Sequence, residues 1–226
     1  MSLALALPNR RVEEWKYSDL ARALGDAGFG DASAHVQVDA LPAGIEAIDL
    51  DQNVRPLWIS THYGKLRTND VGALSLAKSA SGLALRVSKG QAIAEPLRLT
   101  VAGEGHARLL LVLEEGASLT LLEGADAAGT RNVGFEIVLA ANAEFRHVRL
   151  SPASAAVQVE EISLRLARDA RYHGHFANFG AKLSRTELEI ALEGEGSEVH
   201  LSGVSVLSGN SHADVTTHVT HAVGRT

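Results

Sequence analysis

Ala117-Ser118-Leu119-Thr120-Leu121, Ala143-Glu144-Phe145-Arg146-His147, Ala170-Arg171-Tyr172-His173-Gly174 and Ser197-Glu198-Val199-His200-Leu201 are one pattern written four times. Their first residues lie 26, 27 and 27 positions apart. The stretch before each one recurs with it: Leu113, Leu139, Leu166 and Leu192 are spaced 26, 27 and 26. Each unit is an apolar strand, a two-residue corner, a second strand and a loop of variable length. The corners are Glu115-Gly116, Ala141-Asn142, Arg168-Asp169 and Glu195-Gly196. Weaker copies precede them around Leu83–Val87 and Leu97–Val101. A fixed period of this size means stacked units that bury their apolar faces against one another. Two short strands per period, with no helical spacing between them, predict an all-β fold: a parallel β-helix, or β-solenoid.

Alternation assigns the inside. Leu109, Leu111 and Leu113, then Phe135, Ile137 and Leu139, then Ile162, Leu164 and Leu166 share one parity in the first strands. Ala117, Leu119 and Leu121, Ala143 and Phe145, and Ala170 and Tyr172 do so in the second. Period-two side chains point to one face, so these residues point inward. Ser118, Glu144, Arg171 and Glu198 fall on the opposite parity, and stacked rungs line the last three into an alternating-sign ladder about 4.8 Å apart on a solvated face. His147 falls on the inward parity, which predicts a hydrogen-bonded core or turn residue.

Working outward, residues 8–25 read as helical, with Val12, Trp15, Leu20, Ala23 and Leu24 on one stripe. Ser18-Asp19 can cap a second short helix and Gly25 can stop it. Residues 25–56, broken by Gly28, Gly30, Pro42, Gly44 and Pro56, read as loops and short strands. From Leu57 onward the chain reads almost wholly as strands. The division expected is thus a helical and mixed segment over 1–56 and a solenoid core over 57–226.

Composition excludes several functions. The 226 residues carry no cysteine, which removes disulfides, a thiol nucleophile and thiolate-held zinc or iron–sulfur clusters from this chain. The formal charge of −6 argues against a nucleic-acid or anionic-membrane binder. No segment approaches the roughly 20 apolar residues of a membrane span. The Leu3-to-Leu7 run is too short for a signal sequence, and Arg10 and Arg11 follow it rather than precede it. The expected location is the cytoplasm.

Of ten histidines, six lie after residue 170: His173, His175, His200, His212, His218 and His221. His173-x-His175 puts two imidazoles on one side of a strand, and His173 and His200 hold the same rung position. No carboxylate at the matching position completes a zinc or iron site, so solvated outward histidines are the plainer reading. In the cluster from His212 to His221, strand parity groups Asp214, Thr216 and His218 on one face and puts His221 on the other. An Asp–His pair suits a base and its orienter, but no serine or cysteine is placed in sequence to serve as nucleophile. His173, His200, His212, Asp214, His218 and His221 are therefore the only metal candidates, and no catalytic or cofactor-binding residue is assigned. No phosphate-binding G-x-x-x-x-G-K-[ST], no G-x-G-x-x-G after a strand and no H-E-x-x-H occurs.

Glu13-Glu14-Trp15-Lys16-Tyr17-Ser18-Asp19-Leu20, after Pro8, resembles the E-E-W-[RK]-Y-[ST]-[DN]-L signature of the SufD branch of the SufB/SufD family, scaffold subunits of the SUF iron–sulfur cluster assembly system. Ala143 through Leu150 resembles a rung of that family. Gly180 with Arg185, Glu187, Leu192 and Gly194 resembles its G-x-x-x-x-R-x-x-[LIV] turn and strand. His212-x-Asp214 with His218 and His221 resembles its H-x-D rung. The resemblance implies a right-handed parallel β-helix flanked by helical regions. It implies a non-catalytic scaffold that pairs with a SufB-like paralogue through the β-helix and with a SufC-like ATPase through C-terminal helices. The cluster is then the product of the complex, and no cofactor belongs to this chain alone. The chain stops at Gly224-Arg225-Thr226, inside the repeat zone, so it is expected to be a C-terminally truncated member, with the end near Val215–Val223 covered by disorder or by a second copy in a homodimer. Two enzymatic readings compete. A polysaccharide-active β-helix needs paired carboxylates and aromatic platforms, and the outward positions lack the aromatics. A left-handed hexapeptide-repeat acyltransferase needs an aliphatic residue every six positions, which spacings of 26 and 27 disfavour.

Overall fold

A computed structural model describes residues 7–52, 54–66 and 68–226. Residues 3–6 of the short N-terminal apolar run lie outside them. Thirteen strands are described: β1 (His35–Val38), β2 (Ile45–Asp49), β3 (Gly82–Val87), β4 (Leu97–Ala102), β5 (Gly105–Leu113), β6 (Ser118–Ala125), β7 (Arg131–Leu139), β8 (Glu144–Ser151), β9 (Val157–Leu166), β10 (Arg171–Asn178), β11 (Leu183–Leu192), β12 (Glu198–Ser205) and β13 (Ala213–His221). From β3 onward the chain alternates between two sheets. One runs β1-β4-β6-β8-β10-β12 and the other β13-β11-β9-β7-β5-β3-β2. Every pairing is parallel except those of β1 on β4 and β2 on β3. The fold is the expected parallel β-solenoid, of about five turns.

The corners hold the rungs in register. Gly116, Asn142, Asp169 and Gly196, the second residues of the four repeated corners, all have positive φ, between 57° and 71°. In that conformation the amides of Gly116, Asn142 and Asp169 donate to the carbonyls of Ala141, Arg168 and Glu195 on the next rung, at 2.9–3.0 Å. A left-handed backbone costs most residues energy, which is why Gly, Asn and Asp occupy these positions. Between corners the inward residues stack into one core, from Leu83 and Leu85 through Phe135, Ile137, Phe145 and Tyr172 to Leu188, Ile190 and Leu192. The anticipated ladder is half built: Arg171 meets Glu198 at 3.4 Å, while Glu144 is taken by Arg146 on its own strand at 2.5 Å.

The two outer faces differ. The six-stranded sheet alternates buried and exposed along β8 and β10, as a half-solvated sheet should. In the other sheet β5 and β7 are buried at every residue, because helices cover their outer face. Two of these helices, α2 (Leu57–His62) and α3 (Asp70–Lys78), lie in a stretch expected to be strand. The expectation is corrected over Leu57–Lys78. Asn69 caps α3 by accepting from the amides of Val71 and Gly72, and side chains of the sheet supply the rest of the anchorage. Among the described residues the N-terminal stretch forms a 3-10 turn at Glu13–Trp15, the short helix α1 (Leu20–Leu24), capped by Asp19 and stopped by Gly25, and a second 3-10 turn at Gly25–Ala27. Trp15, Leu20 and Leu24 are buried, and Val12 is exposed.

The corner geometry yields a test. A β-branched side chain is least tolerated at positive φ, so Asn142→Val should lose about 1–2 kcal/mol of stability. Asn142→Gly should stay within a few tenths of the parent. Urea midpoints of both variants check this, and equal midpoints would show that the corner conformation is not what restricts the position.

Candidate functional site

The outer face of the seven-stranded sheet is built from charge. Register places Thr216, Glu187, Glu161, Gly134 and Arg108 in one column, and His218, Glu189, Ser163 and Glu136 in the next. The helical segment is bolted to these columns. Glu136 accepts the amides of Gly64, Lys65 and Leu66 at 2.9–3.3 Å and pairs with buried Arg108 at 2.8 Å. Arg108 also donates to Ser75 Oγ at 3.0 Å, and Asn132 donates to the Val71 carbonyl at 2.8 Å. Glu161 accepts the Asn69 amide at 2.7 Å and the Thr68 hydroxyl at 2.5 Å. A Cβ on Gly72 would fall inside that carboxylate, which explains a glycine inside α3.

At one edge of this face the quoted motifs meet. Arg185, 1% exposed, lies with its guanidinium 4.0 Å from the Trp15 ring centroid. It pairs with Glu187 at 2.6 Å and with Asp214. The buried Ser18 hydroxyl donates to Asp214 Oδ2 at 2.5 Å, and His212 Nε2 lies 2.9 Å from Ser18 Oγ. Asn69 donates to Glu187. The E-E-W-K-Y-S-D-L segment, the Arg185 strand and the His212-x-Asp214 strand thus form one clasp.

A serine does stand beside His212 and Asp214, but it is Ser18, 194 residues from His212, a separation no sequence spacing reveals. Its proton goes to Asp214, whose carboxylate is already engaged by Arg185, and its side chain is sealed from solvent. Beside the clasp lies a cleft of about 540 Å³, lined among others by Glu14, Trp15, Asp70, Glu187, Glu189 and His218.

The remaining histidines are scattered. His173 and His200 sit in register on neighbouring strands with rings stacked, 5.4 Å between centroids and 4° between planes. His175 bonds Ser202 at 2.9 Å, and His221 bonds Thr226 at 2.6 Å. Among the described residues no group of three or more His, Cys, Asp or Glu is placed to hold a metal ion. His147 is inside, as its parity predicts, bonded to Glu123 at 2.7 Å and to the Tyr172 hydroxyl at 3.1 Å. Arg149, Glu160 and Thr186 extend that network through the polar end of the core. Burial disfavours ionisation at both carboxyls. The His147 hydrogen bond and the Arg149 charge hold Glu123 below its usual range, while Glu160 stays well above.

The family model described as "SUF system FeS cluster assembly, SufBD core domain" matches residues 99–226. The chain belongs to that family. The matched stretch holds β5 through β13, with Arg185 and Glu187 on β11, Asp214 on β13 and His212 immediately before β13. The chain is also 29% identical to "Iron-sulfur cluster assembly protein SufD" of Escherichia coli (strain K12), over 98% of its own length and 61% of the relative's. It is 29% identical to "Iron-sulfur cluster assembly SufBD family protein slr0076" of Synechocystis, over 51% of its length and 28% of that protein's. The chain therefore spans less than two thirds of either relative. No helix among the described residues is long and apolar enough to cross a membrane.

Two outcomes follow for this SufBD-family clasp. Ser18→Ala strands the His212 ring nitrogen and removes a donor from Asp214, and should cost about 1–3 kcal/mol in urea unfolding. Unchanged stability would mean that solvent already satisfies these groups. For Glu161, burial raises the carboxyl to about 7 against the pull of Thr68, Asn69 and Arg108. Its protonated form is favoured in the folded chain. The stability it contributes is full below the usual value of 4.5 and is lost as pH rises through about 7. Glu161→Gln should flatten the stability profile across that window, read as urea midpoints at stepped pH. A parallel profile would exclude this residue as its source.

Proposed function

We propose that this chain is a non-catalytic scaffold in SUF-type iron–sulfur cluster assembly, acting in the cytoplasm. The observation that carries the proposal is the family match over 99–226, which covers the solenoid rungs themselves. The E. coli relative is named for iron–sulfur cluster assembly, which supports it. Two features of the chain agree. Among the described residues, the gathering of Ser18, His212 and Asp214 buries the serine and commits its hydroxyl to Asp214. With no cysteine, the chain supplies no thiolate, so a cluster built on the complex takes its thiolates from a partner.

In this reading the solenoid pairs with a SufB-like paralogue through the end formed by β12 and β13, where Leu201, Val204, Val215 and Val219 are exposed. A second copy occupies that end when the chain is alone. A SufC-like ATPase binds a part of the family's length that this chain does not span. No cluster and no other cofactor belongs to this chain by itself.

Co-expression with SufB-like and SufC-like partners tests the reading. The chain should co-elute with the SufB-like partner, and Val215→Asp with Val219→Asp should abolish co-elution while the rest of the solenoid stays folded by circular dichroism. Purified alone, it should hydrolyse no ATP and carry no sulfide-containing chromophore. Failure to co-elute, or release of reducing sugar from a polysaccharide, would overturn it.

A further inference from the structure

The outer face of the six-stranded sheet carries a pair of side chains that the assembly reading does not use. His173 on β10 and His200 on β12 are direct register partners in a parallel ladder. Both rings project from the half-solvated face, which along β10 alternates exposed with buried. They lie nearly parallel, 5.4 Å apart. Among the described residues neither ring has a hydrogen bond or ion pair, so both keep free ring nitrogens, unlike His147, His175, His212 and His221. We propose that His173 and His200 form a surface site for a divalent first-row transition-metal ion of the zinc, copper or nickel type.

The physical case rests on preorganisation. Neighbouring parallel strands are about 4.8 Å apart, so two same-face imidazoles start within one side-chain rotation of a shared ion about 2.0–2.1 Å from each nitrogen. Hydrogen bonds to both neighbours hold β10, so the backbone spends no entropy in presenting His173. The local charge does not repel a cation. Arg146, next to His173 in the column, is paired with Glu144, and Arg171 is paired with Glu198. Imidazole donors without thiolate suit zinc, copper and nickel over softer or harder ions. With two protein donors and, among the described residues, no third His, Cys, Asp or Glu grouped with them, water completes the shell. The ion held here is exchangeable and keeps positions open to a further ligand, as a docking or hand-over site requires and a structural zinc site does not.

The test uses the whole chain, chelator-free, near pH 7.5, with zinc chloride as the probe. Calorimetry should show one zinc ion per chain, and nuclear magnetic resonance should show the His173 and His200 ring signals moving together during the titration. His173→Gln and His200→Gln should each weaken that binding at least tenfold, and the double variant should show no binding above noise. His175→Gln and His218→Gln should keep it. Circular dichroism of the double variant checks that the solenoid persists. Undiminished binding in the double variant, perturbation confined to His212, His218 or His221, or no saturable binding at all would each overturn the assignment.

Discussion

A rung of this protein has no core of its own. Each inward side chain is buried only because a counterpart lies one rung away, so everything depends on keeping successive rungs in register. The positive-φ corner does that. Gly116, Asn142 and Asp169 turn the chain between sheets and aim their amides at the next rung's carbonyls. A slip of one residue would swing Leu109, Phe135 and Ile162 to the outer face and Arg108 and Glu161 into the core. The spacing of 26 or 27 residues is the sequence image of that constraint. The loops absorb the variation in length, and the corners do not.

The second constraint is the charged outer face of the seven-stranded sheet. Arg108, Glu136, Glu161, Arg185 and Glu187 are all buried, and a buried charge is tolerable only when paired and hydrogen-bonded. Arg108 pairs with Glu136 and Arg185 with Glu187, and the segment before the solenoid supplies further partners: amides of Gly64, Lys65, Leu66 and Asn69, hydroxyls of Thr68 and Ser75, and the Trp15 ring. The N-terminal signature is thus a structural lock. It closes over the strand pair β11 and β13, so that residues far apart in the chain meet in one clasp.

Most of the solenoid was legible because its signal is periodic. Parity identified Phe135, Ile137, Phe145 and Tyr172 as core and placed His147 inside, and the repeat register aligned His173 with His200. The helices over Leu57–Lys78 were not legible. They are short, and their apolar residues, such as Ile59 and Val71, also fit strand spacing. The covering of one sheet face was equally hidden, since nothing in the spacing of Glu136 or Glu161 marks them for burial beneath helices. Ser18 in the clasp was missed for a different reason: a hydroxyl 194 residues from its imidazole leaves no spacing to read. The one available hint was that Ser18 stands within a quoted signature with no local role beyond capping, and the cap proved to be Asp19.

By itself the sequence determined the stacked two-strand rung, its inward residues, its corners and the absence of any thiolate, because each of these is a local rule repeated at a fixed interval. Only the tertiary structure decided which face of the solenoid is covered, and hence which charged residues are buried. Only it decided that Ser18, Trp15, Arg185 and Asp214 share a site, and that the rings of His173 and His200 stack without a hydrogen bond or ion pair among the described residues. Those outcomes depend on contacts between segments with no common period, and the geometry of such contacts exists only once the chain has folded.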